Sequence, residues 1–300
     1  MITFIHTNWT APAKDNRWNQ GTTSQILKNI WYYSLSTAYL KKLGQKVELH
    51  TDDFGKLCLD HIPYDKIHLT LNTIPEDIKP YMWAYGKFWA LKDCNIDTCH
   101  IDADVFIKDI KCVNEIAKND YDLLVQCQEM DLNSEKWPVP LYRSTASVLT
   151  TLNYPSWSSK TITSAYNTGT IKFNNYKQKN NFISEYLRCA LECSTSDKLV
   201  YSILKNNNVG ITATPDLILE QQFIYDSAVH EKIKVKSLIE WENATELANN
   251  IGYQHVIGMQ KYNVNNINRC VKILYDLDRE LYQKTLEKIK YIEKYLYENS

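Results

Sequence analysis

Apolar positions in this chain follow two rhythms, short continuous runs and longer stretches that repeat every three to four residues. The short runs at Ile2–His6, Val47–Thr51, Lys66–Leu71, Asp122–Gln128 and Tyr166–Phe173 predict strands. Between them, Gly21–Lys42 predicts a helix with Ile26, Ile30, Tyr33 and Leu40 near one face and a stop at Gly44. Met82–Lys92 predicts a second, compact helix. Further helices are expected around 178–192 and 196–206, and from Asp216 after the Thr214-Pro215 break. Ile267–Tyr297 predicts one or two amphipathic helices, with Leu281, Ile289, Ile292 and Leu296 at helical spacing. Strands alternating with helices argue for an α/β fold, a mainly parallel sheet with covering helices. The segment Met130–Ser164, rich in Ser, Thr, Pro and Trp and without periodicity, suits a lid or acceptor-binding loop.

One run carries a chemical signal. His100-Ile101-Asp102-Ala103-Asp104-Val105-Phe106-Ile107 predicts a strand ending in two carboxylates separated by one small residue. Positions i and i+2 of a strand project from one face, roughly 7 Å apart at the backbone. Paired acids repel unless a cation or hydrogen-bond donors compensate them. A divalent ion carrying a diphosphate would do so, because hard oxygen ligands suit Mg²⁺ or Mn²⁺. Taken alone, the pair also fits a solvated acidic turn.

Composition narrows the partners. A net charge of −1 over 300 residues gives no global pull toward nucleic acid or an anionic membrane. The start, Met1-Ile2-Thr3-Phe4-Ile5-His6, lacks the features of a secretory leader, and no apolar run approaches the ~20 residues of a transmembrane helix. The eight cysteines form no disulfide framework and no Cys-x-x-Cys pair, which argues for reduced thiols in a cytoplasmic protein and against cysteine-pair zinc.

Three later motifs follow in order. Tyr166-Asn167-Thr168-Gly169 places an amide and a glycine at a strand start, where backbone can approach a ligand closely. Leu219-Glu220-Gln221-Gln222 puts an acid and an amide at the opening of a helical run. His255-Val-Ile-Gly258-Met-Gln-Lys261 separates a potential metal ligand from a cation by a glycine-centred turn. Singly, each is ordinary: a histidine is more often structural than ligating, and Asn-x-Gly is usually a turn. Together they supply what a nucleotide-sugar reaction needs.

The order Asp-x-Asp, Asn-x-Gly, acid-Gln, His-x-x-Gly-x-x-Lys resembles the family-eight glycosyltransferases, which include glycogenin-like and bacterial lipopolysaccharide galactosyl- and glucosyltransferases. The resemblance implies a GT-A type, Rossmann-like mixed sheet with helices on both faces. That domain would span 1–265, with a C-terminal helical appendage at 266–300 packed on it. Carried over, Asp102, Asp104 and His255 would hold Mn²⁺ or Mg²⁺, with Asp102 also near the ribose. Gly258 and Lys261 would bind the diphosphate, and Asn167 and Gly169 would border the sugar. Glu220 and Gln221 would flank the anomeric centre as catalytic groups together with Lys261, and Thr7 and Asn8 would approach the nucleobase. Lys87 would stand where the family has an arginine, giving a point charge instead of a bidentate fork. The chain has Glu220-Gln221-Gln222 where the family usually has Asp-Gln-Asp, and Tyr262-Asn263 where it has Pro-Trp. The expected activity is metal-dependent transfer of a hexose from a nucleotide-diphosphate sugar, most simply a UDP-hexose, with retention of configuration and an acceptor that the sequence does not identify. The alternatives are a metal-dependent phosphohydrolase and a non-catalytic sugar-nucleotide-binding protein on a degenerate transferase fold.

Overall fold

A computed structural model of the chain describes residues 2–14, 22–129, 164–196, 216, 218–240 and 244–298. The protein is mixed α/β, built on a mostly parallel central sheet of a kind compatible with a Rossmann-like fold. Its strands are β1 (Thr3–Asn8), β2 (Lys46–Thr51), β3 (Lys66–His68), β4 (Thr98–Ile101), β6 (Leu123–Glu129), β7 (Ala165–Phe173) and β8 (Val235–Ser237). They lie in the order β3-β2-β1-β4-β7-β6-β8, and β7 alone runs against its neighbours β4 and β6. Two further short strands, β5 (Val105–Ile107) and β9 (Tyr253–His255), pair antiparallel in a separate ribbon.

Neighbouring strand residues feed separate cores, as alternation requires. On one face Ile5 joins Phe88, Leu91, Phe182 and Tyr186 under α4 (Tyr85–Lys92) and α6 (Tyr176–Thr195). On the other, Phe4 and Val47 meet Cys112 and Ile116 of α5 (Ile110–Ala117). The long α2 (Thr22–Lys42) lies on that second face. Its Tyr32 and Leu35 pack with Ile267 and Leu274 of α9 (Val264–Leu277) and Leu281 of α10 (Arg279–Glu298). Buried Lys179 of α6 donates to the Leu91 and Lys92 carbonyls at 3.0 and 3.3 Å and to that of Cys94, capping the end of α4 with a cation.

Several predicted elements change shape. The run from His100 is not one strand. β4 stops at Ile101 and the chain turns, with Val105 N–H donating to the Asp102 carbonyl at 3.0 Å, before β5 leaves for the other sheet. Both aspartates therefore sit in a turn and not on one face of a strand. The predicted Lys66–Leu71 strand shortens to Lys66–His68 and passes into a 3₁₀ turn at Thr70–Thr73. The compact helix begins at Tyr85, after a turn that includes Met82. The C-terminal stretch is two helices, broken at Asp278. The 130–164 loop, apart from Ser164, and the 196–206 helix, apart from Ser196, lie outside the described residues.

Candidate functional site

The Asp102–Val105 turn is fixed from three sides. Asp102 N–H donates to the Gly169 carbonyl at 2.8 Å, and Val256 N–H donates to the Asp104 carbonyl at 3.0 Å. Pairing of β5 with β9 sets His255 opposite Val105, beside the acids. Ligating atoms of Asp102, Asp104 and His255 all lie within 4.8 Å of one another. Asp104 Oδ1 is 3.6 Å from His255 Nε2, and Oδ2 accepts from Lys261 Nζ at 3.3 Å.

The imidazole is aimed by its surroundings. Gln126 Oε1 lies 2.7 Å from His255 Nδ1, so that nitrogen donates to the amide oxygen and Nε2 faces the acids. The same oxygen accepts from Tyr253 Oη at 2.8 Å, and Tyr253 Oη contacts Thr170 Oγ1 at 3.0 Å. Room for the ring comes from Gly169. A Cβ there would meet His255 Cε1 and Gln126 Oε1 at 2.6 Å each. The β6–β7 ladder shifts register between Val125 and Cys127, and β7 bows there around Gly169.

A second knot closes the other side. Lys87, buried in α4, reaches Asp102 Oδ1 at 3.0 Å and pairs with Glu220 Oε1. It also donates to the Thr168 carbonyl at 3.1 Å, while Thr168 Oγ1 donates to Glu220 at 2.5 Å. Burial opposes the lysine's charge, but Asp102 and Glu220 outweigh it and raise its pKa. Asp102 keeps a third of its side chain open to the cleft. Desolvation within that narrow cleft nevertheless raises its carboxyl pKa against the pull of Lys87, and Glu220 and Asp104 add to the rise. Asp104 goes the other way: burial disfavours its charge, yet Lys261 and His255 hold its carboxyl well below the usual range. His100, beneath Thr7 at 2.9 Å, is kept neutral by burial and has Nδ1 unpartnered, 3.9 Å from Asp102 Oδ1.

Several of these groups line a cavity of about 200 Å³. Thr7, Asn8, Lys87, Asp102, Asp104, Glu220 and Lys261 line it, so seven sequence-predicted residues from five separate segments meet at one cavity. Ile26, Ile30 and Leu59, with the amides of Gln25 and Asn29, also line it. His255 stands behind Asp104 and does not line the cavity. Asn167 does not line it either. Its amide donates to Glu129 at 2.9 Å and its oxygen accepts from Gly169 N–H at 3.0 Å, so it braces β7. Gly169 itself makes space for His255. Glu220 and Gln221 occupy a π-helical turn, Ile218–Gln222, leading into α7 (Phe223–Glu231); Glu220 faces Lys87, and half-buried Gln221 is outside the cavity lining. Gly258 opens the 3₁₀ turn Gly258–Tyr262 that delivers Lys261.

Sequence reasoning missed Gln126, Thr168 and Tyr253. Gln126 had a signal: a buried amide inside the apolar strand Leu123–Cys127 must have a partner. The two carboxylates and the imidazole suit a divalent cation.

The fold and site thus define a mixed α/β protein with an acid–histidine–lysine cluster at the end of a polar cavity. Residues 2–288 match the family described as "Family of unknown function (DUF6734)", and the chain belongs to that family. No curated protein matches the chain. Among the described residues no helix is long and apolar enough to cross a membrane.

Proposed function

We propose that the chain is a metal-dependent glycosyltransferase that uses a nucleotide-diphosphate sugar, most simply a UDP-hexose, as donor. The carrying observation is the convergence of Asp102, Asp104 and Lys261, from segments far apart in sequence, on one cavity, with His255 against Asp104 behind its wall. The mostly parallel sheet with its one reversed strand, β7, supports a GT-A type arrangement. Asp102, Asp104 and His255 would hold Mn²⁺ or Mg²⁺, which when bound supplies Lewis-acid stabilisation of a leaving diphosphate.

The residues divide the remaining work. Lys261, half-buried on the wall, faces the diphosphate and neutralises charge as the sugar C1–O bond breaks and its electron pair stays with phosphate. Lys87 and Thr168 fix the Glu220 carboxylate at the reacting end. There it favours positive charge developing at C1 while the acceptor hydroxyl forms the new C1–O bond and its proton passes to the departing phosphate oxygen. Thr7 and Asn8 approach the nucleoside. The test is a panel of nucleotide sugars assayed for Mn²⁺-dependent hydrolysis, which needs no acceptor. Release of free sugar and nucleoside diphosphate from one donor is expected. Release of inorganic phosphate instead would replace this reading by a phosphohydrolase, and binding without turnover of any donor would replace it by a non-catalytic binder.

A further inference from the structure

A second group of ligating side chains lies on the edge strand β3 and its neighbour β2, outside the cavity lining. Glu48 and His50 are i and i+2 on β2, hence on one face, and His68 on β3 is the register partner of His50. Their ligating atoms lie within 4.8 Å of one another. The two imidazoles stack at 4.4 Å with their planes 10° apart, and His68 Nε2 meets Glu48 Oε2 at 2.8 Å. His50 has the bracing seen at His255. Its Nδ1 is 3.0 Å from Thr70 Oγ1, and Nε2 points to Cys94 Sγ at 3.8 Å, at the end of α4. Tetrahedral zinc, with bonds of about 2.05 Å to nitrogen and about 2.3 Å to sulfur, sets such atoms about 3.6 Å apart.

We propose that Glu48, His50, His68 and Cys94 form a zinc-class metal site, distinct in place and in ligand chemistry from the Asp102–Asp104–His255 cluster. Two imidazoles and a thiol favour a borderline-soft ion, whereas the carboxylate-rich cluster in the cavity favours a hard one. The site would pin the three-residue edge strand β3 and the end of α4 to β2. Its ligands come from three elements and include no cysteine pair, so no sequence spacing announces it.

The test uses the full chain carrying Asp104→Asn, which removes competition from the cavity cluster, stripped with a chelator and titrated with Zn²⁺ and Co²⁺. One equivalent of zinc should bind and raise the melting temperature. Cobalt should give an intense tetrahedral visible spectrum with a near-ultraviolet thiolate charge-transfer band. His68→Ala, on the half-buried edge strand, should weaken zinc binding at least ~100-fold with an unchanged circular dichroism spectrum. Cys94→Ser should remove the charge-transfer band. Zinc uptake insensitive to His68→Ala and Glu48→Gln, or a cobalt spectrum lacking the band that Cys94→Ser would remove, overturns the assignment.

Discussion

Asp102 and Asp104 leave the same turn, separated only by Ala103, and meet opposite surroundings. Asp102 opens to the cleft but is tied to a lysine buried on every side and shared with Glu220. Asp104 is itself buried, yet its partners are a cation on the cavity wall and an imidazole whose Nε2 faces it. The Asp102 side is a closed knot in which two carboxylates share one buried cation. The Asp104 side is a poised set whose charges can be redistributed when a ligand arrives. The contrast teaches that position in a motif does not determine a carboxylate's task; the counter-charge does, and whether that counter-charge can let go.

The harshest way to break the comparison is Lys87→Met. Removing one member of a buried charged knot strands Asp102 and Glu220, and a loss of about 3–5 kcal/mol in urea unfolding is expected. Adding Glu220→Gln should recover part of it. A loss below about 1 kcal/mol for the single variant would mean that the knot is wet and open.

Asp104→Asn should leave the fold intact and cut Mn²⁺ affinity at least ~100-fold by calorimetry. The same variant reads the pH linkage. Asp104's folded pKa lies below its unfolded value, so its stabilising contribution is present at neutral pH and lost as pH falls below about 4. The acid limb of the stability curve should be shallower in the variant, and an unchanged limb would refute the pairing.

Gln126→Leu tests the aim of His255 without touching either acid. Loss of the acceptor for Nδ1–H should weaken metal binding by about 10–100-fold. Wild-type affinity would show that Gly169 and the β5–β9 pairing hold the ring unaided. The mildest change is Lys261→Arg, expected to lower donor turnover by less than about tenfold with nucleoside affinity unaltered, since charge survives but its compact geometry does not. A fall in nucleoside affinity with normal turnover would move Lys261 away from the diphosphate.

Much of this site was legible because its members carry independent signals. Asp102 and Asp104 end an apolar run, and His255 and Lys261 flank a glycine turn. β1, β2, β6 and β7 fall within a residue or two of their predicted positions. What escaped is non-local or short. The β5–β9 ribbon has strands of three residues, too brief for periodicity to register. The helix α3 (Asp53–Leu59) and α5 begin with Asp52 and Asp109 as caps, their carboxylates accepting from Gly55 N–H at 2.7 Å and Lys111 N–H at 2.9 Å. Asp52 reads equally well in sequence as the polar end of a strand. The turn at Asp102 looked like continuous strand because Val105-Phe106-Ile107 is as apolar as β4, and only the pairing with β9 pulls it away.

That ribbon has a consequence for the order in which the molecule is made. Val105 and His255 are register partners separated by half the chain, and α2 packs against the two C-terminal helices α9 and α10. Domains emerge from the ribosome N-terminus first, and distant pairings must bear loop-closure entropy before they are rewarded. Both aspartates and Lys87 therefore exist in the nascent chain well before the histidine and lysine that complete their cluster. Half-made molecules carry the acids but not the site, and competence waits until the chain has been made through residues 255–261.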